Sequence, residues 1–248
     1  GPDAPLLQVP GRQFKVDIIY LEQPCGSYLD EAVSCVCQIH EYEKPGGILL
    51  FLTGEEEIET ACSRIKDKIS AMIAKSGDES LLDPVVLPLY AALPPQSQQE
   101  VFKPVGKHER KIIVSTNIAE TSVTIDGIVY VVDPGFVKQN QYDSERNMSR
   151  LIVVPVSQAA ANQRAGRAGR TQNGKCFRLY TEAAFNINLL PQTKPEILRS
   201  DISQVILTML ATGIDDIVNF PFLDRPPKRL MLSAVEDLYY LGAIDLEG

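Results

Sequence analysis

Ile48-Leu49-Leu50-Phe51-Leu52-Thr53-Gly54 is the stretch that decides the fold. Five apolar residues in a row show no inside and no outside, so the segment reads as a strand buried on both faces, as in a parallel sheet. Gly46-Gly47 breaks the chain before it. After it, Glu55, Glu56 and Glu57 suit the first turn of a helix running to about residue 74. Upstream, residues 14–20 form a short β-rich run. Ser27 is placed to cap a helix to about Tyr42, with Leu29, Val33, Val36 and Ile39 on its inner face. Downstream, residues 85–89, 111–115 and 128–132 are further apolar strands, and Pro94-Pro95 opens a helix over 96–102. Strand and helix in alternation predict an α/β fold with a doubly wound parallel sheet flanked by helices.

After Asp133-Pro134-Gly135 the alternation changes. Residues 136–142 and 150–155 pair in this reading as a β-hairpin insertion, 157–170 as a helix and 175–180 as the last strand. Residues 182–195 form a bridge. Three short helices follow over 197–210, 214–220 and 228–240, with Gly213 and Gly242 where C-caps belong. The expected organisation is an extended lead-in over 1–12, a large α/β domain over 13–181 and a small helical domain over 182–248.

Composition narrows the function. The chain has 248 residues and a net charge of −8, so it is not a bulk basic binder of nucleic acid, and any such contact is confined to a few loops. No apolar run is long enough to span a bilayer, and no signal peptide is visible. Cys25, Cys35, Cys37, Cys62 and Cys176 contain no Cys-x-x-Cys pair, and with only His40 and His108 beside them they predict no metal site and a reducing compartment.

The chemistry centres on Gln163-Arg164-Ala165-Gly166-Arg167-Ala168-Gly169-Arg170. Arginines three apart fall on nearly one face of a helix. The alanines and glycines between them strip it of bulk, so that another backbone or a phosphate can come close. Two helical glycines cost about 2 kcal/mol of propensity, and a planar guanidinium is well matched to phosphate oxygens.

This octet resembles motif VI of the DEAH-box ATP-dependent RNA helicases. Leu49 to Gly54 resembles their motif IV, and Ser115-Thr116-Asn117-Ile118-Ala119-Glu120-Thr121-Ser122 through Asp126-Gly127 their motif V. The resemblance covers nearly all the chain and is nearest to the Prp43 type, which serves pre-mRNA splicing and ribosome assembly. It implies a second RecA-like domain followed by a winged helix, with the ratchet-like helical domain and OB-fold of such proteins beyond the chain. It gives Arg167 and Arg170 the role of arginine fingers on the γ-phosphate of ATP, and gives Gln163 a part in placing the attacking water. Arg164 is left equally open as structural. Ser122, Thr124 and Asp126 fall on the nucleotide, Asp126 at a ribose hydroxyl. Phe102 either stacks on adenine or belongs to the core. Thr53, Gly54, Thr116 and Asn117 touch the RNA backbone. Lys138 is either an RNA contact on the hairpin or a plain surface lysine.

What is missing matters equally. No Gly-x-x-x-x-Gly-Lys-Ser/Thr loop and no Asp-Glu-Ala-His are present. Asp30-Glu31-Ala32-Val33 opens an amphipathic helix, whereas a metal-binding Asp should end an apolar strand. The chain therefore reads as half of an ATPase site. The Mg2+ ligands that accompany ATP are expected in a first RecA-like domain outside the chain. The implied partners are that domain, single-stranded RNA and a glycine-rich G-patch activator, in the nucleus or nucleolus. Phosphate and sugar contacts would be indifferent to base sequence. The rival readings are a docking module for the activator, which apolar residues exposed among 207–210 or 238–241 would favour, and a stand-alone nucleotide-binding protein.

Overall fold

The computed structural model describes residues 14–76, 81–143, 146 and 148–245. The lead-in read over 1–12 lies outside them. In chain order the first elements are β1 (Val16–Tyr20), α1 (Tyr28–Tyr42), β2 (Gly47–Phe51), α2 (Glu55–Ser76), β3 (Asp83–Leu89), α3 (Pro95–Glu100), β4 (Glu109–Ser115), α4 (Ile118–Thr121) and β5 (Ile128–Asp133). There follow β6 (Phe136–Asp143), β7 (Met148–Pro155), α5 (Gln158–Ala165), β8 (Gly174–Arg178), α6 (Glu182–Ile187), a 3-10 turn (Glu196–Leu198), α7 (Ser203–Ala211) and α8 (Lys228–Tyr240).

Six strands form one sheet in the order β1-β8-β5-β2-β4-β3, and every pairing is parallel. β2 is buried along its whole length. Ile48, Leu50 and Leu52 enter one core with α1 and α2, while Leu49 and Phe51 enter another with Ala119 of α4 and Ala165 of α5. The continuous apolar run is thus two alternating sets, one for each face. β2 leads through α2 to β3, but its neighbour β4 leads through α4 to β5, back across β2. The two connections leave to opposite faces, as right-handed crossovers require. The carboxyl ends of β2 and β4 therefore border the topological switch point, where open α/β sheets bind ligands.

Local signals account for most of the boundaries. Ser27 Oγ accepts from the Asp30 amide at 3.3 Å and starts α1. At the far end of α1 the buried Arg110 donates to the carbonyls of Ile39, Glu43 and Lys44 at 2.6, 2.8 and 2.6 Å, which closes the helix without a glycine. Gly213 and Gly242 adopt φ of 81° and 70°, just past α7 and α8, as their C-cap reading requires.

Four expectations are corrected. The helix read over 157–170 ends at Ala165. Beyond it Arg167, Ala168 and Gly169 donate to the carbonyls three residues back, at 3.1, 3.1 and 3.3 Å, so the chain winds on as tight turns. Two glycines in four residues are too weak to hold an α-helix open to such an alternative. The bridge over 182–195 contains a helix, α6, whose N-cap Thr181 accepts from the Ala184 amide at 3.1 Å. The helix read over 197–210 is split, because Asp201 accepts from both the amide and the hydroxyl of Ser203, at 2.9 and 2.6 Å, and restarts the chain as α7. Residues 214–220 form turns rather than a helix. There the Asp216 carboxylate accepts from the Asn219 amide at 3.1 Å, a local bond that competes with helix.

The chain forms two compact units, one of residues 1–137 and 155–191, the other of 138–154 and 192–248. The hairpin β6–β7 thus groups with the C-terminal helices rather than with the sheet. Tyr142 explains why: its ring packs with the core of Ile206, Met209, Leu230 and Leu238, its hydroxyl meets Ser233 Oγ at 3.0 Å, and its amide donates to the Arg199 carbonyl at 2.8 Å.

Candidate functional site

The loops at the carboxyl ends of β2 and β4 lie side by side, since Phe51 pairs with Ser115 and the Leu52 amide donates to the Ser115 carbonyl at 2.8 Å. Thr53 and Gly54 follow one strand, Thr116 and Asn117 the other. They differ in what they offer. Thr53 is buried, and both its amide and its hydroxyl donate to Glu57 Oε2, at 3.1 and 2.7 Å. The other oxygen of Glu57 accepts from the Tyr28 hydroxyl. Burial, and then this carboxylate, push the Tyr28 phenol up to about 12. A phosphate reaching Thr53 must therefore compete with Glu57. Asn117 is exposed and makes no side-chain cap to α4, and Thr116 is half-buried with its amide on the Leu89 carbonyl at 3.1 Å. The β4 loop is the open one.

Arg164 resolves the ambiguity left by its spacing. Its guanidinium is buried: Nη1 donates to Asp133 Oδ1 at 2.8 Å, and Nε donates to Glu120 Oε2 at 3.0 Å. Nη1 also reaches the Phe136 carbonyl at 3.2 Å, and the cation lies 4.8 Å from the Phe51 ring centroid. Burial works against the charge, but Asp133 and Glu120 together outweigh it and its pKa is raised. Asp133 is fully buried and accepts further from the Gly135 amide at 3.0 Å and the Tyr180 hydroxyl at 3.2 Å. One arginine thus ties α4, the end of β5 and α5 together. It is a brace rather than a ligand group.

Arg167 and Arg170 sit where the helix has given way to turns, and both are half-exposed. Arg167 Nη1 donates to the Val123 carbonyl at 3.0 Å, which places it on the segment carrying Ser122, Thr124 and Asp126, all three exposed. Burial and then the neighbouring Arg170 cation weaken its hold on its proton, against Glu120. Two guanidiniums that repel each other, one of them partly desolvated, are relieved by an anion. Gln163 is exposed on the last turn of α5. Gly169 is small for a reason other than phosphate: a Cβ there would stand 2.7 Å from the Phe14 carbonyl oxygen, which accepts no such neighbour, and its own carbonyl takes the Phe14 amide at 2.9 Å. The close approach is by backbone at Gly169, while a Cβ at Gly166 meets only carbonyl oxygens at 3.4 Å or more.

Phe102 is 49% exposed on the turn after α3, so of its two readings the core one is excluded. Lys138 is exposed and belongs to the other compact unit, apart from the residues grouped above. Sequence reasoning missed Glu57, Glu120, Asp133 and Lys111 as partners of the site. Asp133 carried a signal, a carboxylate ending an apolar strand, but only the fold shows that it meets an arginine. Among the described residues no three His, Cys, Asp or Glu side chains come together as a metal site, and no helix is long and apolar enough to cross a membrane.

Comparison with known proteins gives relatives over the whole chain. A family model described as the helicase conserved C-terminal domain matches residues 31–172. The pre-mRNA-splicing factor ATP-dependent RNA helicase prp22 of Schizosaccharomyces pombe is 50% identical over 244 residues, 98% of this chain and 20% of its own length. Among solved structures, the E. coli DExH-box NTPase HrpB superposes with a TM-score of 0.82 at 35% identity, over 99% of this chain and 29% of that one. A second structure of HrpB, described as a DEAH/RHA helicase, gives 0.84 at 34% identity, over 99% and 30%. The chain therefore spans less than a third of the length of these relatives.

Proposed function

The chain belongs to the helicase conserved C-terminal domain family, as a RecA-like domain of the DEAH-box kind, and from that premise we propose that it is the second half of an ATP-driven RNA motor. The observation that carries the reading is Arg167, partly desolvated, bonded to the Val123 carbonyl between Ser122 and Thr124, and repelled by the neighbouring Arg170 cation.

The residues fit a nucleotide. Arg167 and Arg170 present guanidiniums to a transferred phosphoryl group, and such fingers are worth roughly 10³ to 10⁵ in rate. Gln163 orients water beside them. Ser122 and Thr124 offer hydroxyls, Asp126 accepts from a ribose hydroxyl and Phe102 offers a ring face to adenine. ATP supplies the phosphoanhydride whose cleavage drives the cycle. Magnesium finds no ligand set among the described residues, and its ligands fall to the first RecA-like domain, outside this chain.

RNA is gripped through its backbone by the open Thr116–Asn117 loop and by the Thr53–Gly54 loop, with Lys138 as a further cation. Arg164 connects the grip to the fingers, since Glu120 lies between Asn117 and Ser122 in sequence and is held by Arg164. Movement of α4 on nucleotide binding is passed to the RNA loop through that short helix. The name of the prp22 relative points to pre-mRNA splicing and so to the nucleus, and ribosome assembly is the other process the resemblance implies. The unit of 138–154 and 192–248 is read as a winged helix built from β6–β7, α7 and α8, which the helical and OB domains follow.

A second reading has its own observation. Leu207, Leu210, Tyr239 and Tyr240 line an open cavity of about 820 Å³ at the end of α7 and α8, and Tyr240 is 82% exposed. Tyr240 and Leu241, exposed at the end of α8, support the reading that a partner segment docks here. Leu241→Asp should weaken binding of a glycine-rich activator segment while leaving basal ATP turnover intact, and equal loss of both would speak against it. The motor reading is tested by fluorescent-nucleotide binding in the full-length protein, where Arg167→Ala should weaken binding of a transition-state analogue far more than binding of ADP.

A further inference from the structure

Lys111 is a buried lysine on β4, an inner strand whose next three residues are Ile112, Ile113 and Val114. Its ammonium donates to the Val101 carbonyl at 2.8 Å and to the Lys103 carbonyl. These are the two carbonyls on either side of Phe102. The turn is closed from behind as well, since the Phe102 amide donates to the Gln99 carbonyl at 3.1 Å and the Lys103 amide to the Glu100 carbonyl at 3.2 Å. Val101 is fully buried in the same core as Ile113, so the turn is nailed down at its first residue and turned outward at its second. An ammonium has three protons, and two of them are spent on this one turn. Burial lowers the pKa of Lys111, and the Asp126 carboxylate works to raise it, so the two charges feel each other through the domain. A buried charge is costly unless it is paired and hydrogen-bonded. A strand position that keeps one has been spent on holding a loop.

We propose that Lys111 is the positioning residue for the nucleoside part of the nucleotide: by fixing both carbonyls that flank Phe102, it sets where a base can stack. This rests on the reading that Phe102 and Asp126 hold the nucleoside. It separates two tasks within the site. The Arg167–Arg170 end acts on the phosphates and governs kcat. The Lys111 end acts on base and ribose and governs KM. A lysine that merely stabilised the fold would not distinguish the two constants.

The test uses steady-state ATP hydrolysis by the full-length protein and calorimetric binding of ADP. Lys111→Met keeps the length of the side chain and removes the donors. It should raise KM and weaken ADP binding about tenfold, near the value for loss of a stacked base, with kcat within about twofold of wild type. Phe102→Ala should do the same. The double variant should be no worse than Phe102→Ala, because a turn without its ring has nothing left to position. If Lys111→Met does not fold, Lys111→Arg serves: its bulkier head keeps the charge and must push the turn outward, raising KM about threefold with kcat retained. An unchanged KM in a folded Lys111 variant, while Phe102→Ala raises it, overturns the proposal and leaves the nucleoside reading standing. Additive losses in the double variant, or a fall in kcat equal to the rise in KM, also overturn it. If Phe102→Ala and Asp126→Ala both leave ADP binding unchanged, the nucleoside reading itself fails, and the assignment of Lys111 falls with it.

Discussion

Arg164 and Arg167 lie three residues apart in the same repeat, yet one is sealed in the protein and the other is half-exposed. Arg164 meets two carboxylates, a carbonyl and an aromatic ring. Arg167 meets one carbonyl and a like charge. The change happens where α5 ends, at Ala165. A continued helix would have set the arginines on one face in one environment. The glycine-weakened turns instead leave the first arginine inside and bring the second to the Val123 carbonyl, with Arg170 as its neighbouring cation. One sequence repeat thus yields a structural cation and a pair of cations free to meet an anion, and spacing alone does not tell them apart.

The difference can be broken from either side. Replacement of Arg167 or Arg170 by Ala in the full-length protein should lower kcat for ATP by about 10³ or more and leave the urea midpoint of unfolding unchanged. A matching loss of stability would place these residues with Arg164 instead. Arg164→Met should do the reverse. It strands the fully buried Asp133 carboxylate, and breaking a buried pair this way costs about 3–5 kcal/mol, read from urea unfolding of this chain. A loss below about 1 kcal/mol, the range of a surface pair, would show that Arg164 is not the brace.

The two glycines sharpen the same contrast. Gly169→Ala would drive a Cβ to 2.7 Å from the Phe14 carbonyl oxygen and from the Val16 side chain, an overpacking expected to cost about 1–3 kcal/mol. Gly166→Ala meets nothing nearer than 3.4 Å and has a helical φ of −59°. It should be neutral or stabilise by up to about 1 kcal/mol. Thermal melts of the two variants should diverge in sign. Equal destabilisation would mean that Gly166 too is kept for a close contact.

The parallel sheet was legible because its strands are apolar on both faces. Ile48 to Leu52 divide between the two cores, and Ser27 marked its helix by a cap that the structure bears out. The end of α5 was not legible, because an Arg-rich run with small residues scores as helix until the competing turns are seen. The turns over 214–220 and the break at Asp201 were hidden for a related reason: a side-chain oxygen bonding its own backbone defeats a period-3.6 pattern without altering it. Within the site, residue types and order pointed to Arg167 and Arg170, but not to their partners. Lys111 reaches the Lys103 carbonyl across 8 residues of sequence, Glu57 meets Tyr28 across 29 and Asp133 meets Arg164 across 31. No spacing rule reports such contacts.

The central claim is that this chain carries one half of an ATPase site. The measurement that tests it most directly is ATP hydrolysis by this chain alone, with and without single-stranded RNA, beside the full-length protein under the same conditions. The account predicts turnover by the full-length protein and none by the chain alone. Turnover by the chain alone would mean that it holds a complete phosphate site, and would contradict the account.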